Sequence, residues 1–195
     1  MSDLALLGGT PVRDTPFPEW PAYSTEEEAG VVLDALRSGH LCGAAGGTYN
    51  PAFEEAFASW CGATGAVTCN SGSSAIHVAL EAVGVGPGDE VIVPVYTYYA
   101  SGTSVLVAGA IPVFADITPG ESNLDPGAFE AAITDRTKAV MVVHADGVPA
   151  NMDAICEVAD RHGISIVEDC SHAHGASYRG IRTGILGDVG AFRIQ

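Results

Sequence analysis

Ala66-Val-Thr-Cys69, Glu90-Val-Ile-Val-Pro94, Ile111-Pro-Val-Phe-Ala115, Ala139-Val-Met-Val-Val-His144, Ser165-Ile-Val-Glu168 and Val189-Gly-Ala-Phe192 recur along one stretch of the chain, with helical segments between them. Apolar strands separated by helices predict an α/β fold with a mostly parallel sheet covered by helices on both faces. In such open sheets ligands bind at the carboxyl ends of the strands, so the polar residues that follow each run are where function should be sought.

N-terminal to this stretch, residues 1–24 read as an extended, proline-rich arm ending near Pro21, and residues 25–195 as one domain. Ser24-Thr25-Glu26-Glu27-Glu28 is a capped, acidic helix start, and that helix should run to about Ser38, before Gly39. A second helix fits Pro51 to Trp60, with Phe53, Phe57 and Trp60 at helical spacing. The glycine-rich residues 39–50 between them read as a mobile loop.

The 195 residues are 47% hydrophobic and 16% charged, which suits a globular domain with a buried core. A formal charge of −16 repels phosphate backbones and anionic membranes, so neither nucleic acid nor a membrane surface is expected as a partner. Five scattered cysteines without a C-x-x-C pair argue against a disulfide framework or a zinc ribbon, and suit a reducing cytoplasm. No apolar run approaches the roughly 20 residues that span a bilayer.

Three segments carry chemistry. Asn70-Ser71-Gly72-Ser73-Ser74-Ala75 lies between a strand and an apolar helix. A glycine, two hydroxyls and free amides at a helix start suit an anion such as phosphate; alternatively Ser73 or Ser74 merely caps the helix. The segment is neither a P-loop nor a dinucleotide fingerprint. Glu90 to Ala100 places Tyr96, Tyr98 and Tyr99 after a strand end, where a ring could stack on a planar cofactor or simply pack. In Ile166-Val-Glu-Asp-Cys-Ser-His-Ala-His-Gly175 a buried strand runs into Asp169, whose carboxylate needs a cationic partner such as a protonated pyridine nitrogen. His172 and His174, with Asp169 and Cys170, also have zinc-ligand chemistry. No second ligand cluster exists, so no metal is expected and His174 is read as structural.

Together these motifs resemble the DegT/DnrJ/EryC1/StrS family of sugar aminotransferases, which depend on pyridoxal 5′-phosphate (PLP) and have the fold type I, aspartate aminotransferase-like architecture. The motifs NSGSSAIHVAL, VGPGDEVIVPVYTYYAS, GAIPVFADI, NLDP, TKAVMVVHADGVPANMD, VEDCSHAHGA and GDVGAF occur in family order from about Leu6 to Phe192. The wording EDCSHAHGA and the opening LALLGGTPVR are most similar to the aminocyclitol branch, the glutamine:scyllo-inosose aminotransferases, and to the amino-hydroxybenzoate synthases.

The resemblance implies that residues 25–195 form the PLP-binding large domain, without the family's C-terminal small domain. Ser73 and Ser74 would hold the phosphate, Tyr98 would stack on the ring, Asp169 would pair with the pyridine nitrogen, and His172 would approach the phenolic oxygen. The implied reaction moves an amino group from L-glutamine or glutamate to a keto-cyclitol or keto-sugar, in a homodimer with shared active sites. A sugar dehydratase using PLP or its amine form, an amino-hydroxybenzoate synthase-like enzyme and a non-catalytic cofactor-binding or dimerising fragment are the alternatives.

Two positions depart from the family pattern. Arg193 stands where the family has a phosphate-binding serine, and as a forked cation it could neutralise the phosphate instead. The family's Schiff-base lysine would fall at position 198, three residues beyond Gln195, while Lys138 is the single lysine present. The 195 residues are therefore expected to lack normal turnover on their own.

Overall fold

The computed structural model describes residues 4–16, 25–42 and 47–194. The end of the predicted arm near Pro21, Ser24 of the predicted cap, residues 43–46 of the predicted loop and Gln195 lie outside the described residues. The chain's contacts fall into two units, Met1–Tyr49 and Asn50–Gln195.

In the first unit a single turn of 3-10 helix, Ala5–Leu7, ends at Gly8, and helix α1 spans Glu26–Ser38. Thr25 caps α1 reciprocally: its hydroxyl accepts from the Glu28 amide, and the Glu28 carboxylate accepts from the Thr25 amide. Gly39 ends it in left-handed backbone, φ 71°. Both ends agree with the sequence reading.

Helix α2, Tyr49–Cys61, starts at the last residue of the first unit and otherwise belongs to the second. The second unit continues with α3 (Gly72–Ala82), β1 (Glu90–Pro94), α4 (Tyr99–Val107), β2 (Ile111–Ala115), α5 (Pro126–Ala131), β3 (Thr137–Val143), α6 (Met152–His162) and β4 (Ser165–Asp169). A two-stranded hairpin, β5 (Ser177–Tyr178) with β6 (Ile181–Arg182), precedes β7 (Val189–Ala191). The main sheet has the order β2-β1-β3-β4-β7, every pair parallel.

Alternate residues of the central strands feed two cores. Val91 and Val93 of β1, Met141 and Val143 of β3 and Val167 of β4 join Ile76, Leu80 and Val105 from α3 and α4. Ile92, Val140, Val142 and Ile166 join Phe129, Met152, Ile155 and Val158 from α5 and α6. Burial on both faces is why these strands read as unbroken apolar runs rather than as alternating ones.

One predicted strand is absent: Ala66–Cys69 joins no ladder. A cleft of about 840 Å3 is lined by both it and β7, and the Thr68 amide and hydroxyl bond instead to the Glu54 carboxylate. Without a neighbour to exchange amide bonds, an apolar extended run is not a strand.

The site lies where the connections reverse. From β1 the chain steps to β2 on one side and then to β3 on the other, which opens a crevice at the carboxyl ends of β1 and β3.

Candidate active site

A cavity of about 480 Å3 occupies this crevice. Tyr96, Thr97 and Tyr98 enter it from the end of β1, Ala145 and Asp146 from the end of β3, Asp169, Ser171 and His172 from the end of β4, and Arg193 from beyond β7. The start of α3 closes one side with Ser71, Gly72 and Ser73. Gly72, Ser73, Tyr96, Tyr98, Tyr99, Asp169, His172 and Arg193, all singled out from sequence, thus line one pocket.

Ser74 does not line it, and the helix cap is not the one anticipated. Ser71 is the N-cap of α3: its hydroxyl accepts from the Ser74 amide at 3.2 Å and approaches the Ser74 hydroxyl at 3.0 Å. Ser73 and Ser74 lie inside the first turn. With Ser71 satisfying the third amide, those of Gly72 and Ser73 donate to no acceptor among the described residues, which suits an anion at the positive end of the helix. Arg193 packs across this turn so closely that a β-carbon on Gly72 would come 2.8 Å from its Cβ. Only glycine permits that approach.

Asp169 is 5% exposed, and both its oxygens are engaged. One accepts from the Ser171 amide at 3.0 Å and hydroxyl at 2.6 Å, and the other from the Ser101 hydroxyl at 3.2 Å. Ser101 is itself 2.6 Å from the Thr97 hydroxyl. No ion pair to Asp169 forms among the described residues. Its acceptor capacity is not exhausted, and a buried carboxylate of this kind fits a ligand cation.

Tyr98 and His172 are exposed on the pocket wall. The rings of Tyr98 and Tyr99 lie 4.2 Å apart. Hydrogen bonding to Tyr99, and then burial, push the Tyr98 phenol up, while Arg193 draws it down.

Metal-type donors also gather, but not as the sequence suggested. His144, Glu168 and Cys170 lie within 4.8 Å of one another, and no such group forms on His172 and His174 among the described residues. Burial, followed by the charge of Glu168, pushes the Cys170 thiol up, away from the thiolate a metal needs.

Sequence reasoning passed over Ser101, Ser171 and Asp146. Ser101 reaches Asp169 across 68 residues, a relation with no local signal. Ser171 directly follows the strand end and could have been read as a turn hydroxyl bonding two residues back.

Residues 22–193 match the family model described as the DegT/DnrJ/EryC1/StrS aminotransferase family. The chain belongs to this family. An L-glutamine:2-deoxy-scyllo-inosose aminotransferase of Streptomyces lividus is 46% identical over 197 residues, covering 98% of this chain and 46% of that protein. Among solved structures, an aminotransferase from Psychrobacter cryohalolentis superposes with a TM-score of 0.85 at 40% identity, over 91% of this chain and 44% of the other. A 3-amino-5-hydroxybenzoic acid synthase does so with a TM-score of 0.84 at 38% identity, over 92% and 46%. The chain spans about half the length of the curated relatives it matches.

Proposed function

We propose that these residues are the PLP-binding part of an aminotransferase that moves an amino group from L-glutamine or glutamate to a keto-cyclitol or keto-sugar, in aminoglycoside-type biosynthesis. The observation that carries the reading is Asp169, a buried carboxylate on the pocket wall, held by two serines and paired with no cation among the described residues. Family membership and the glutamine:inosose relatives support the same assignment.

PLP bound in the 480 Å3 pocket would supply an electron sink for the transfer. Asp169 would hold the proton on its pyridine nitrogen, with Ser101 and Ser171 orienting the carboxylate. The amides of Gly72 and Ser73, the Ser73 hydroxyl and Arg193 would hold the phosphate, with Ser74 stabilising the turn through Ser71. Tyr98 would cover the ring, and His172 would meet the phenolic oxygen. Lys138 lies exposed at the start of β3, outside the pocket lining, so these residues alone are proposed to bind the cofactor without turnover.

The same reading makes residues 25–195 the large domain, preceded by an arm, in a homodimer that works in the cytoplasm. All five cysteines are free, as that compartment favours. Among the described residues no helix is long and apolar enough to cross a membrane.

Titrating PLP into the wild-type chain and Asp169→Asn, followed by absorbance, tests the reading. A charge-assisted hydrogen bond is worth about 1.5 to 3 kcal/mol, so the variant should bind roughly tenfold or more weakly. Equal affinities would remove Asp169 from the role.

A further inference from the structure

Asp146 lines the pocket and has no part in the scheme above. Its backbone is left-handed, φ 56°, and Arg179 in the β5–β6 turn is the other described non-glycine residue so placed. Residues held in such backbone persist where their surroundings over-determine them, and they cluster at ligand sites.

The surroundings here do so. The Ala145 amide donates to Oδ1 of Asn123, a 5% exposed side chain, and Asn123 Nδ2 donates to the Val148 carbonyl, both at 3.1 Å. The Val148 amide closes the turn onto the Ala145 carbonyl at 2.9 Å. The His144 amide bonds to the Asp169 carbonyl, and His144 Nδ1 accepts from the Ala150 amide, each at 3.1 Å. At Gly147 (φ 80°) a β-carbon would come 3.2 Å from the His172 carbonyl, so the turn sits directly against the cofactor-facing loop. Thus Asn123, from the NLDP motif, and His144 grip both ends of a turn that presents Asp146. The Asp146 carboxylate is exposed and makes no hydrogen bond or ion pair among the described residues.

We propose that Asp146 selects the amino acceptor, its carboxylate taking hydrogen bonds from neighbouring ring hydroxyls of a polyol, whether cyclitol or sugar. This rests on reading the pocket as an aminotransferase site. A carboxylate offers about four acceptor positions and no donor, which matches two adjacent hydroxyls in donor orientation. The Asp146 charge disfavours another anion beside it, so the uncharged hydroxyls of a polyol are the better occupants of this rim.

The test is calorimetric titration of the 195-residue chain with PLP, and then of the PLP-loaded chain with myo-inositol. Asp146→Asn keeps the left-handed backbone and the shape but removes the charge, and Asp146→Gly keeps the backbone alone. Inositol affinity should fall about tenfold in Asp146→Asn and be lost in Asp146→Gly, with PLP affinity unchanged in both. Equal inositol affinity in all three chains, or no inositol binding by a wild-type chain that retains PLP, overturns the proposal while leaving the cofactor reading intact. Loss of PLP binding in the variants assigns Asp146 to the cofactor and overturns it too. A wild-type chain that binds no PLP defeats the reading of the pocket and the proposal with it.

Discussion

His144 and Glu168 meet 2.8 Å apart between β3 and β4, with both side chains wholly buried. Because Nδ1 of His144 accepts from the Ala150 amide, the ring proton sits on Nε2 and is donated to Glu168. The Glu168 carboxylate also accepts from the amides of Gly184 (2.8 Å), Leu186 (2.7 Å) and Gly187 (2.8 Å). One side chain therefore ties the strand next to Asp169 both to the Asp146 turn and to the loop that leads into β7 and Arg193.

Burial pushes the Glu168 carboxyl up, but the bond from His144 and those from the Gly184 and Gly187 amides outweigh it and hold the group below its ordinary value. Such a group favours the folded state most when charged. Its contribution is complete above the unfolded glutamate value of about 4.3 and is lost as the pH falls through the lower folded value. Glu168→Gln, which leaves an NH2 group facing amide donors, should cost about 3 to 5 kcal/mol in urea unfolding at pH 7. Its stability should also depend less on pH below about 4.3 than that of the wild type. A variant as stable as wild type would show that the four bonds contribute nothing net.

Gly72→Ala would put a methyl group 2.8 Å from Arg193 Cβ and 3.2 Å from its Cγ, so the arginine must leave the start of α3. PLP affinity should drop by about tenfold, the scale of one lost bond to a charged group, while the helix itself gains from alanine. A PLP titration beside a thermal melt separates the two effects, and unchanged affinity would take Arg193 out of the phosphate site.

The serines of the α3 turn should divide by role. Ser71→Ala removes the cap and should lower stability by about 0.5 to 2 kcal/mol, read from the melt of the apo-protein. Ser73→Ala should instead weaken PLP retention and leave the melt close to wild type. A large melt shift without a change in PLP affinity for Ser73→Ala would make this serine structural.

Borohydride reduction in the presence of PLP should leave Lys138 unmodified, since it sits at the outer end of β3 away from the pocket lining. Peptide mass spectrometry showing stoichiometric phosphopyridoxyl label on Lys138 would contradict the placement of the cofactor.

What the sequence alone determined was whatever depends on neighbours in the chain. The Thr25–Glu28 box and Gly39 bound α1 because caps act within one turn, and unbroken apolar runs announced β1, β3 and β4 because both faces of each are covered. The strand ending at Asp169 likewise pointed to a carboxylate needing a partner. Tertiary structure decided the rest. The order β2-β1-β3-β4-β7 brings the strand ends to one crevice, lets Ser101 reach Asp169 and His144 reach Glu168, and leaves Ala66–Cys69 without a ladder. It also sets Asn123 beside the turn that holds Asp146 in left-handed backbone. Each of these is a pairing between residues far apart in the chain, decided by which strands become neighbours, and local hydrophobic pattern carries no record of that choice.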